Sequence, residues 1–417
     1  MKKYVISLLV LAMMSPMVWG QKVRPDAFPP IAETHDTKAV VMAYTVEEME
    51  SWDKYPTYPV YVEMMQRFAS QYPSLCRLDT IGTSIEGRLI LCVKISDNVN
   101  EDESGEPEFF YSSTMHGDEV TGYYLMLHLI DTLLNGYGQV EEYTDLINST
   151  AIYINPLSNP DGTYNGGNNT VMGAMRYNAN WVDLNRNFPD PFGTEAFEPL
   201  QKENEEMIQY VSNHRFLMSA NLHGGSEVMN YPWDSYESYQ QAHPRADWWK
   251  EVSKRFVDTC RAVNGNLFRD VTNSGYIAGG DWYVISNGRQ DYFNYYNNCL
   301  EMTMELSSYK TLPTNQLPSY WRAEYQALLN YIKEIHNLPW VGVQRAENGE
   351  MVCFPNPTFR YVQIKGDENP EEGFVTDMSG KRVMDIASDE YFLDLGSLPA
   401  GLYFLHKGNK VAKIVKR

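Results

Sequence analysis

The sequence predicts an α/β protein in which a mixed β-sheet is covered by helices on both faces, followed by a small all-β sandwich domain. Two observations support this prediction. Between residues 42 and 338 of the 417-residue chain, short apolar stretches alternate with longer stretches of helical periodicity, and this alternation is typical of a sheet sandwiched by helices. From residue 339 to 417, short alternating stretches are separated by turn residues, which is typical of a small β-sandwich.

The predicted strands of the central region are short apolar runs bounded by polar or turn-forming residues. They cover residues 89–95, 108–115, 151–155, 216–222 and 300–306. The predicted helices are longer segments whose apolar residues recur every three or four positions. They cover residues 120–134, 203–211 and 246–263, and a hairpin turn is expected around residues 83–87.

The N-terminus is predicted to be a secretory signal peptide over residues 1–20. Lys2 and Lys3 precede an apolar stretch, and the sequence around Gly20 resembles a small-residue cleavage site. The alternative is an uncleaved membrane anchor, which the short length and the presence of Ser15 and Pro16 disfavour. A short acidic segment, residues 21–41, links the signal peptide to the central region.

Charge limits the classes of partner. The chain has 34 basic and 54 acidic residues, a net charge of −20 and an isoelectric point near 4.8. Such a balance disfavours nucleic acid or an anionic membrane surface as a partner, because both repel a strongly acidic protein. It fits a protein that handles cationic ligands, although solubility alone would explain it equally well.

Five cysteines in an exported chain permit at most two intrachain disulfides. Cys76 and Cys92 flank the predicted hairpin and could face each other, and Cys260 with Cys299 would be the other pair. Cys353 would then remain unpaired. The alternative, which the sequence leaves open, is that the thiols are free and buried.

Three residues of metal-ligand type suggest a catalytic metal site. His116 and Glu119 occur in Met-His-Gly-Asp-Glu, and His223 occurs in Asn-Leu-His-Gly-Gly. Two imidazoles and one carboxylate leave one coordination position of a zinc ion open, as catalytic sites require. All three, together with Glu305, lie at or near the ends of predicted strands, where ligands bind in sheets of this type.

From about residue 44 to 337 the chain resembles the zinc metallocarboxypeptidases, or funnelins, in particular the regulatory branch of the carboxypeptidase N and E types. Six segments carry the resemblance, and they occur in the family's order: Ile81-Gly-Thr-Ser-Ile-Glu-Gly-Arg88, His116-Gly-Asp-Glu119, Asn159-Pro-Asp-Gly162, Asp183-Leu-Asn-Arg-Asn-Phe-Pro-Asp190, Leu222-His-Gly-Gly225 and Cys299-Leu-Glu-Met-Thr-Met-Glu-Leu306. The resemblance implies a mixed sheet of eight strands. The segment 21–41 is too short for the inhibitory prodomain of the digestive relatives, so the enzyme is expected to be made active.

The resemblance also implies the catalytic roles. One Zn²⁺ per chain would be held by the three residues of metal-ligand type and would activate a water molecule. Glu305 would be the general base for that water. Asp183 matches the carboxylate that orients the first zinc histidine. Arg176 matches the arginine that stabilises the oxyanion of the tetrahedral intermediate.

Five further residues match substrate-binding positions of the regulatory branch. Asn185 and Arg186 match the pair that binds the terminal carboxylate of the substrate. Tyr283 matches a mobile tyrosine that closes over the bound C-terminus. Asp234 and Gln290 match the pocket that selects terminal lysine or arginine. The alternative for Asp234 is a solvated loop residue.

Two features depart from the regulatory branch or leave alternatives open. Asp118 stands where the branch more usually has asparagine, and it is expected to alter the contact with the penultimate substrate residue. The segment 339–417 could be the transthyretin-like domain of that branch. Its motifs Phe354-Pro-Asn-Pro and Leu398-Pro-Ala-Gly-Leu-Tyr instead resemble the sorting domain that the type IX secretion machinery of Bacteroidetes recognises.

The sequence therefore predicts a zinc carboxypeptidase that removes terminal Lys or Arg from peptides and proteins. It is expected to be secreted or attached to the cell surface, exported through the periplasm of a Bacteroidetes-like bacterium by type IX machinery, with no transmembrane segment in the mature chain. Two alternatives remain: a zinc peptidase that trims cell-wall peptides, and a noncatalytic relative that binds peptides in the same cleft.

Overall fold

The structure is a computed structural model. It describes residues 40–101, 106–338, 351–354, 356, 358, 361–365, 372–388, 390–408 and 410–416. The predicted signal peptide, 1–20, and nearly all of segment 21–41 lie outside these residues. Within the part that is described, no helix has the length and apolar character needed to cross a membrane.

The central region contains ten strands and ten helices among its described residues. The strands are β1 Met42–Ala43, β2 Tyr55–Pro56, β3 Cys76–Thr83, β4 Leu89–Ile95, β5 Glu108–Ser113, β6 Ala151–Asn155, β7 Phe216–His223, β8 Ser226–Tyr231, β9 Tyr276–Ala278 and β10 Leu300–Ser307. The helices are α1 Val46–Met49, α2 Tyr58–Gln71, α3 Thr121–Gly136, α4 Glu141–Ser149, α5 Pro160–Thr163, α6 Lys202–Ser212, α7 Ala246–Val263, α8 Gly279–Trp282, α9 Arg289–Tyr296 and α10 Leu317–Lys333. Short 3₁₀ turns span Leu184–Arg186, Thr314–Gln316 and Glu334–Asn337.

Eight strands form one mixed sheet in the order β3-β4-β6-β5-β7-β10-β8-β9. The four central strands, β6, β5, β7 and β10, are mutually parallel. Strands β3 and β4 on one side and β8 on the other run antiparallel to their inner neighbours, whereas β9 is parallel to β8. The predicted mixed sheet is confirmed. Because the central strands are parallel, their carboxyl ends meet along one edge.

Helices cover both faces of this sheet, as predicted. In strand β10, successive side chains point to opposite faces of the sheet, and both faces are covered. Leu300, Met302, Met304 and Leu306 belong to the larger apolar cluster, which α2, α3, α7 and α10 also join. Helices α6 and α9 supply a smaller cluster, which also contains Phe110 and Tyr153 from β5 and β6. All eight residues of β10 are buried.

Several predicted boundaries agree with the structure to the residue, namely 89–95, 151–155 and 246–263. The others differ by one or two residues at an end. The strand predicted at 108–115 ends at Ser113, because Thr114 has a left-handed backbone with φ of 61°. This turn redirects the chain immediately before His116.

The cysteine pairing expected from the sequence is wrong for the described residues, and the alternative of buried free thiols is correct. Cys76 pairs in register with Ile95, and Cys92 pairs with Asp79. Cys76 packs in the larger cluster and Cys92 in the smaller one, so the two thiols lie on opposite faces of the sheet.

The other expected pair fails for the same reason. Cys260 packs in the larger apolar cluster, whereas Cys299 packs in the smaller one. The sheet therefore separates the two thiols. Cys353, in the C-terminal segment, is also a buried free thiol.

The C-terminal segment forms the predicted small β-sandwich. Its strands are β11 Val352–Phe354, β12 Tyr361–Lys365, β13 Gly373–Asp377, β14 Arg382–Ile386, β15 Phe392–Asp394, β16 Gly401–Lys407 and β17 Lys410–Lys416. They make two antiparallel sheets, ordered β11-β12-β15 and β14-β13-β16-β17. Side chains from both sheets, such as Ile364 and Leu405, share one apolar cluster.

The turn motifs of this segment have local structural roles. The Asp377 carboxylate accepts hydrogen bonds from the backbone N–H groups of Ser379 and Lys381 and so closes the β13–β14 hairpin. The Tyr403 hydroxyl donates to the carbonyl of Pro399, at 2.7 Å. Asp377 and the motif Leu398-Pro-Ala-Gly-Leu-Tyr therefore contribute to turns of this domain.

Candidate active site

His116, Glu119 and His223 converge at the carboxyl edge of the sheet. His116 Nδ1 lies 3.0 Å from Glu119 Oε2, His223 Nδ1 lies 2.7 Å from the same oxygen, and the two Nδ1 atoms are 3.0 Å apart. All three side chains are buried, with exposed fractions of 3%, 3% and 2%. Among the described residues, they form the group of His, Cys, Asp and Glu side chains able to share one ion.

The sheet register brings these residues together. β5 and β7 are neighbours, with Ser113 opposite Leu222, so the loop after β5 and the last residue of β7 lie side by side. The loop carrying His116 needs a glycine at position 117, because a Cβ there would lie 2.5 Å or less from the backbone of Gly162. The close approach of these two backbones explains the glycine at position 117, whereas a Cβ on Gly162 would lie 2.6 Å from the carbonyl oxygen of Tyr177.

The other ring nitrogen of each histidine has an oxygen partner. His116 Nε2 lies 3.0 Å from Asp183 Oδ1, and His223 Nε2 lies 2.7 Å from Asn221 Oδ1. These acceptors place the ring protons on the Nε2 atoms and leave the Nδ1 lone pairs facing Glu119. Two such imidazoles with one carboxylate match the ligand chemistry of a catalytic zinc ion, and the cluster therefore fits that ion.

The electrostatics of the cluster favour the forms that bind a cation. Burial lowers the pKa of His223 to about 4, so this imidazole is neutral at physiological pH. Burial alone would raise the pKa of Glu119, but its close contacts with His116 and His223 hold that pKa well below its usual range.

Arg176 lies beside the cluster. Its Nε donates to Asp183 Oδ2 at 2.9 Å, and its Nη1 lies 3.4 Å from Glu119 Oε1. Asp183 thus accepts from His116 with one oxygen and from Arg176 with the other. Its Oδ1 also accepts from the backbone N–H of Asn185, which makes Asp183 the cap of the 3₁₀ turn that follows.

Glu305 lies next to the cluster because β10 pairs in parallel with β7 and sets Glu305 opposite His223. Its Oε2 is buried and has no hydrogen-bond partner within the described part of the chain. Burial raises the pKa of Glu305 well above its usual range, and the charge of Glu119 adds to the effect. Such a carboxylate readily accepts a proton.

Asn185 and Arg186 lie on the turn capped by Asp183. Asn185 is 7% exposed, and its Oδ1 accepts from the backbone N–H of Arg289 at 2.9 Å. The remaining amide group of Asn185 is a hydrogen-bond donor. The guanidinium of Arg186 donates to the carbonyl of Asn185 at 2.8 Å.

Tyr283 lies within electrostatic range of several of these groups. Burial raises the pKa of Tyr283 to about 12; the negative charge of Glu305 adds to the increase, whereas Arg186 and Arg176 oppose it. The tyrosine follows directly after α8, as the residue that caps that helix. The charges of Glu305 and Arg186 are thus close enough to influence the ionisation of Tyr283.

Asp234 and Gln290 form a buried pair close to Asn185. Gln290 Nε2 donates to Asp234 Oδ1 at 2.8 Å, and Asp234 is 3% exposed, so it is not a solvated loop residue. A Cβ on Gly288 would lie 3.6 Å from Asp234 Oδ2 and 3.7 Å from Asn185 Oδ1. Burial raises the pKa of Asp234 well above its usual range, and the charge of Asp291 adds to this effect.

Two of the six motifs support the site rather than line it. Asp161, of Asn-Pro-Asp-Gly, accepts hydrogen bonds from the hydroxyl of Ser84, the backbone of Glu86 and the guanidinium of Arg88. It thereby binds the predicted hairpin turn. Asn159 donates to the carbonyl of Met115, directly before the first metal-ligand histidine.

Sequence reasoning missed two polar residues next to the site. Asn221 precedes His223 by two positions in a strand and so shares its face, a periodicity that could have identified it. Lys310 had no signal in the sequence. Its Nζ lies 2.8 Å from Asp118 Oδ2, so the charge of this unusual aspartate is paired within the chain.

Fold and site together are those of an α/β protein with a candidate single-ion centre of the catalytic type. Residues 61–327 match the zinc carboxypeptidase family, which is more than half of the chain. The chain belongs to the zinc carboxypeptidase family. That membership implies zinc, and the buried His–Glu–His cluster is its candidate site.

Curated relatives agree with this family. Carboxypeptidase D of Anas platyrhynchos is 38% identical over 311 residues, covering 72% of this chain and 22% of its own. Carboxypeptidase M of Mus musculus is 34% identical, covering 65% of this chain and 63% of its own. The carboxypeptidase N catalytic chain of Homo sapiens is 31% identical, with coverage of 66% and 67%. The chain thus spans only about a fifth of the carboxypeptidase D relatives.

Solved structures share the fold. Thrombin-activatable fibrinolysis inhibitor superposes with a TM-score of 0.59 at 17% identity, covering 69% of this chain and 76% of its own. Carboxypeptidase A from Helicoverpa armigera gives a TM-score of 0.57 at 21% identity, with coverage of 68% and 74%. These likenesses confirm the carboxypeptidase-like fold.

Residues 352–417 match the secretion system C-terminal sorting domain. The predicted resemblance to the type IX sorting domain is confirmed, and the transthyretin-like alternative is not the one that matches. A sorting domain of this class implies export from the cell.

Proposed function

We propose that the protein is a secreted zinc carboxypeptidase that hydrolyses the C-terminal peptide bond of peptides and proteins ending in Lys or Arg. The observation that carries the specificity is the buried carboxylate of Asp234. Within the described part of the chain, no Lys, Arg or His forms an ion pair with it. A buried carboxylate without a cation is costly, and a substrate cation would relieve that cost.

His116, Glu119 and His223 would hold one zinc ion. When bound, zinc supplies a Lewis acid that polarises a carbonyl oxygen and lowers the pKa of a coordinated water to about 7. Asp183 and Asn221 keep the two imidazoles in the tautomer that this binding requires.

Glu305 acts as general base and then as general acid. Its carboxylate accepts a proton from the attacking water and returns that proton to the amine nitrogen as the peptide bond breaks. The raised pKa of Glu305, caused first by burial, suits both steps. Arg176, beside the cluster, stabilises negative charge on the former carbonyl oxygen.

Asn185 and Arg186 bind the terminal carboxylate of the substrate. A guanidinium and an amide can donate several hydrogen bonds to a carboxylate, so cleavage is confined to the last peptide bond. Tyr283 closes over the bound end. The position of Tyr283 within electrostatic range of Glu305 and Arg186 supports this role.

Asp234 and Gln290 receive the terminal side chain. Gly279 makes room for this pair, because a Cβ at that position would lie 1.8 Å from Asp234 Oδ1. Gln290 is itself fixed, since its Oε1 accepts from the backbone N–H of Thr303 at 2.6 Å. The pocket therefore presents an oriented carboxylate to a lysine or arginine side chain.

Catalysis and export belong to different parts of the chain in this proposal. Residues 42–338 form the catalytic domain, after a signal peptide at 1–20 and a short segment at 21–41. Residues 339–417 form the sorting domain, whose partner is the type IX secretion machinery. The protein would reach the cell surface or the medium of a Bacteroidetes-like bacterium by way of the periplasm.

Hydrolysis of short peptides tests this function. Matched peptides that differ only in a terminal Arg, Lys, Leu or Phe are incubated with the protein, with and without a zinc chelator. Release of Arg and Lys that is lost with chelator and restored by zinc is the expected result. Activity confined to cell-wall peptides would favour the trimming alternative, and binding without turnover would favour the noncatalytic one.

A further inference from the structure

A buried ion pair lies behind the candidate site and has no role in the function proposed above. Glu301 of β10 accepts from Arg289, the first residue of α9, at 3.0 Å, and their side chains are 0% and 1% exposed. The guanidinium also lies over the ring of Phe293, at 4.3 Å from its centroid. Burying two charges carries a desolvation penalty that their mutual attraction must offset, so such a pair is an uncommon feature of a protein core.

One oxygen of Glu301 acts on a candidate zinc ligand through Asn221. Asn221 Nδ2 donates to Glu301 Oε1 at 3.0 Å, and Asn221 Oδ1 lies 2.7 Å from His223 Nε2. The ionised carboxylate can only accept, so it requires the amide nitrogen to face it. The amide oxygen must then face His223, which requires the proton on Nε2 and leaves Nδ1 free for a metal.

The other oxygen of Glu301 acts on the substrate end of the cleft. It accepts from Arg289 Nη2, and the backbone N–H of Arg289 donates to Asn185 Oδ1 at 2.9 Å. Because that oxygen of Asn185 is occupied, its amide group remains to donate to a substrate carboxylate. The next residue of α9, Gln290, donates to Asp234 at 2.8 Å.

We propose that Glu301 is a positioning residue that holds His223 in its metal-binding tautomer through Asn221 and holds the start of α9 against Asn185 through Arg289. One buried carboxylate thus aligns the zinc ligand with the residues that bind the substrate. The part that concerns Asn185 rests on the proposed function, whereas the part that concerns His223 does not.

Zinc affinity tests the first part without any substrate. The affinity of the mature chain is measured by competition with a chromogenic chelator for the wild type, Glu301→Gln and Asn221→Ala. Outer hydrogen-bond partners of zinc ligands typically change metal affinity by 10- to 100-fold. We expect a loss of about that size in both variants, with circular dichroism spectra like that of the wild type.

Glu324→Gln is the matched control, because Glu324 is a glutamate of 0% exposure on α10. Its carboxylate oxygens have no hydrogen-bond partner among the described residues, so it has no link to His223. We expect this variant to bind zinc like the wild type. A similar loss in all three variants would mean that any change in the core weakens the site, and it would overturn the proposal.

A double-mutant cycle tests whether Glu301 acts through Asn221. If it does, Glu301→Gln should add almost nothing to the loss of zinc affinity in Asn221→Ala. Additive losses, or a zinc affinity within twofold of the wild type in Glu301→Gln, would overturn the proposal. If Glu301→Gln fails to fold, Asn221→Ala alone decides, because unchanged zinc affinity in that variant has the same meaning.

The second part predicts a split in the kinetic constants at saturating zinc. With Arg289 released, Glu301→Gln should raise KM for a cleaved peptide by at least about tenfold and change kcat less, because uniform binding is lost. An equal fall in kcat at unchanged KM would contradict this part. If no peptide is cleaved by the wild type, the proposed function fails while the zinc result stands.

Discussion

At the residue scale, Glu305 is buried, lies beside the metal-ligand cluster and has one carboxylate oxygen with no hydrogen-bond partner among the described residues. It is adjacent to His223 across the sheet but does not belong to the group of three that can share an ion. A residue in this position can exchange protons at the centre without holding the metal.

Glu305→Gln should therefore reduce turnover by about 10²- to 10⁴-fold or more, because the amide cannot take up the proton. Zinc content, measured by atomic absorption, and the melting temperature should stay close to those of the wild type. Arg176→Lys is a useful comparison, since it keeps the charge and the base but loses the fork geometry. Loss of zinc together with activity would identify Glu305 as a ligand and contradict the assignment.

Asp234 determines the preferred terminal residue in the proposed function. Truncating one partner of a buried charge pair typically costs about 2 to 5 kcal/mol. Asp234→Ala should lower kcat/KM for terminal Arg or Lys by roughly 30-fold or more, and peptides ending in Leu or Phe should be little affected. Asp234→Asn removes the charge but preserves the shape, and it should reproduce the loss. An equal loss with all four peptides would mean that Asp234 is structural.

The sequence identified residues whose chemistry is unusual, and it missed those whose role depends on a neighbour in space. His116, Glu119 and His223 occur in motifs typical of metal binding. The structure brings their side chains within hydrogen-bond distance of one another. Lys310 and Asn221 are ordinary polar residues. Nothing in the local sequence predicts that Lys310 pairs with Asp118, and only the two-residue spacing indicates that Asn221 shares a face of the strand with His223.

At the scale of elements, periodicity found the helices α3, α6 and α7 and the apolar strands β4, β5, β6, β7 and β10, but it did not predict the long helices α2 and α10. It missed β8 and α9, whose residues are mostly polar or aromatic and yet almost all buried. Several of their polar groups make tertiary hydrogen bonds, such as that of Gln290 with Asp234. The usual rule that polar residues face water therefore fails where the chain builds a binding pocket.

Helix α3 contains a histidine that no motif explains. His128 is stacked between Trp52 and Trp321, with ring centroids 4.1 and 3.9 Å away. Burial lowers the pKa of His128 to about 3, against about 6.5 in an unfolded chain. Below pH 6.5 the unfolded state binds the additional proton, so stability should fall as the pH falls toward 3.

His128→Phe keeps an aromatic ring in the stack and removes the titration. Between pH 7 and pH 4.5 the wild type should lose roughly 1 to 3 kcal/mol more unfolding free energy than this variant. Urea denaturation at both pH values provides the measurement. Parallel losses in the two proteins would show that His128 does not titrate differently on unfolding.

Helix α10 contains the opposite case. Burial raises the pKa of Glu324 well above its usual range, and the charge of Glu227 adds to this. The folded state therefore retains a proton that the unfolded state loses near pH 4.3. The sign is the reverse of that for His128: stability is complete at low pH and declines as the pH rises toward the folded pKa.

Glu324→Gln should thus be more stable than the wild type at pH 8, by roughly 1 to 3 kcal/mol, because it carries no charge to bury. The advantage should shrink toward pH 4, where both side chains are neutral. Thermal melting across this pH range provides the test. An advantage that does not depend on pH would point to packing instead of ionisation.

At the scale of the whole molecule, the catalytic region and the β-sandwich have separate cores. The two clusters of the catalytic region contain residues up to Ile335, and the sandwich cluster begins at Met351. Since each region buries its own apolar surface, each has what a domain needs to fold alone.

A chain ending at Asn337 should fold and keep its peptidase activity, with kcat/KM within about twofold of that of the full-length protein. The reason is that none of the proposed catalytic, metal-binding or substrate-binding residues follows Glu305 in the sequence. In its native host the shortened protein should remain in the periplasm. Solubility, peptide hydrolysis and cell fractionation provide the measurements. An insoluble or inactive product would show that the sandwich supports the catalytic domain.

Strands β7 and β10 place their functional side chains on every second residue and in matching rows: Ser219 beside Glu301, Asn221 beside Thr303, and His223 beside Glu305. The intervening residues, such as Leu222 and Met304, enter the larger apolar core. The site therefore depends on which residues of each strand face the same side of the sheet. Inserting an odd number of residues within either strand would move its functional side chains to the apolar face of the sheet and its apolar side chains to the functional face. Changes in the length of the loops outside the strands would leave this alternation intact.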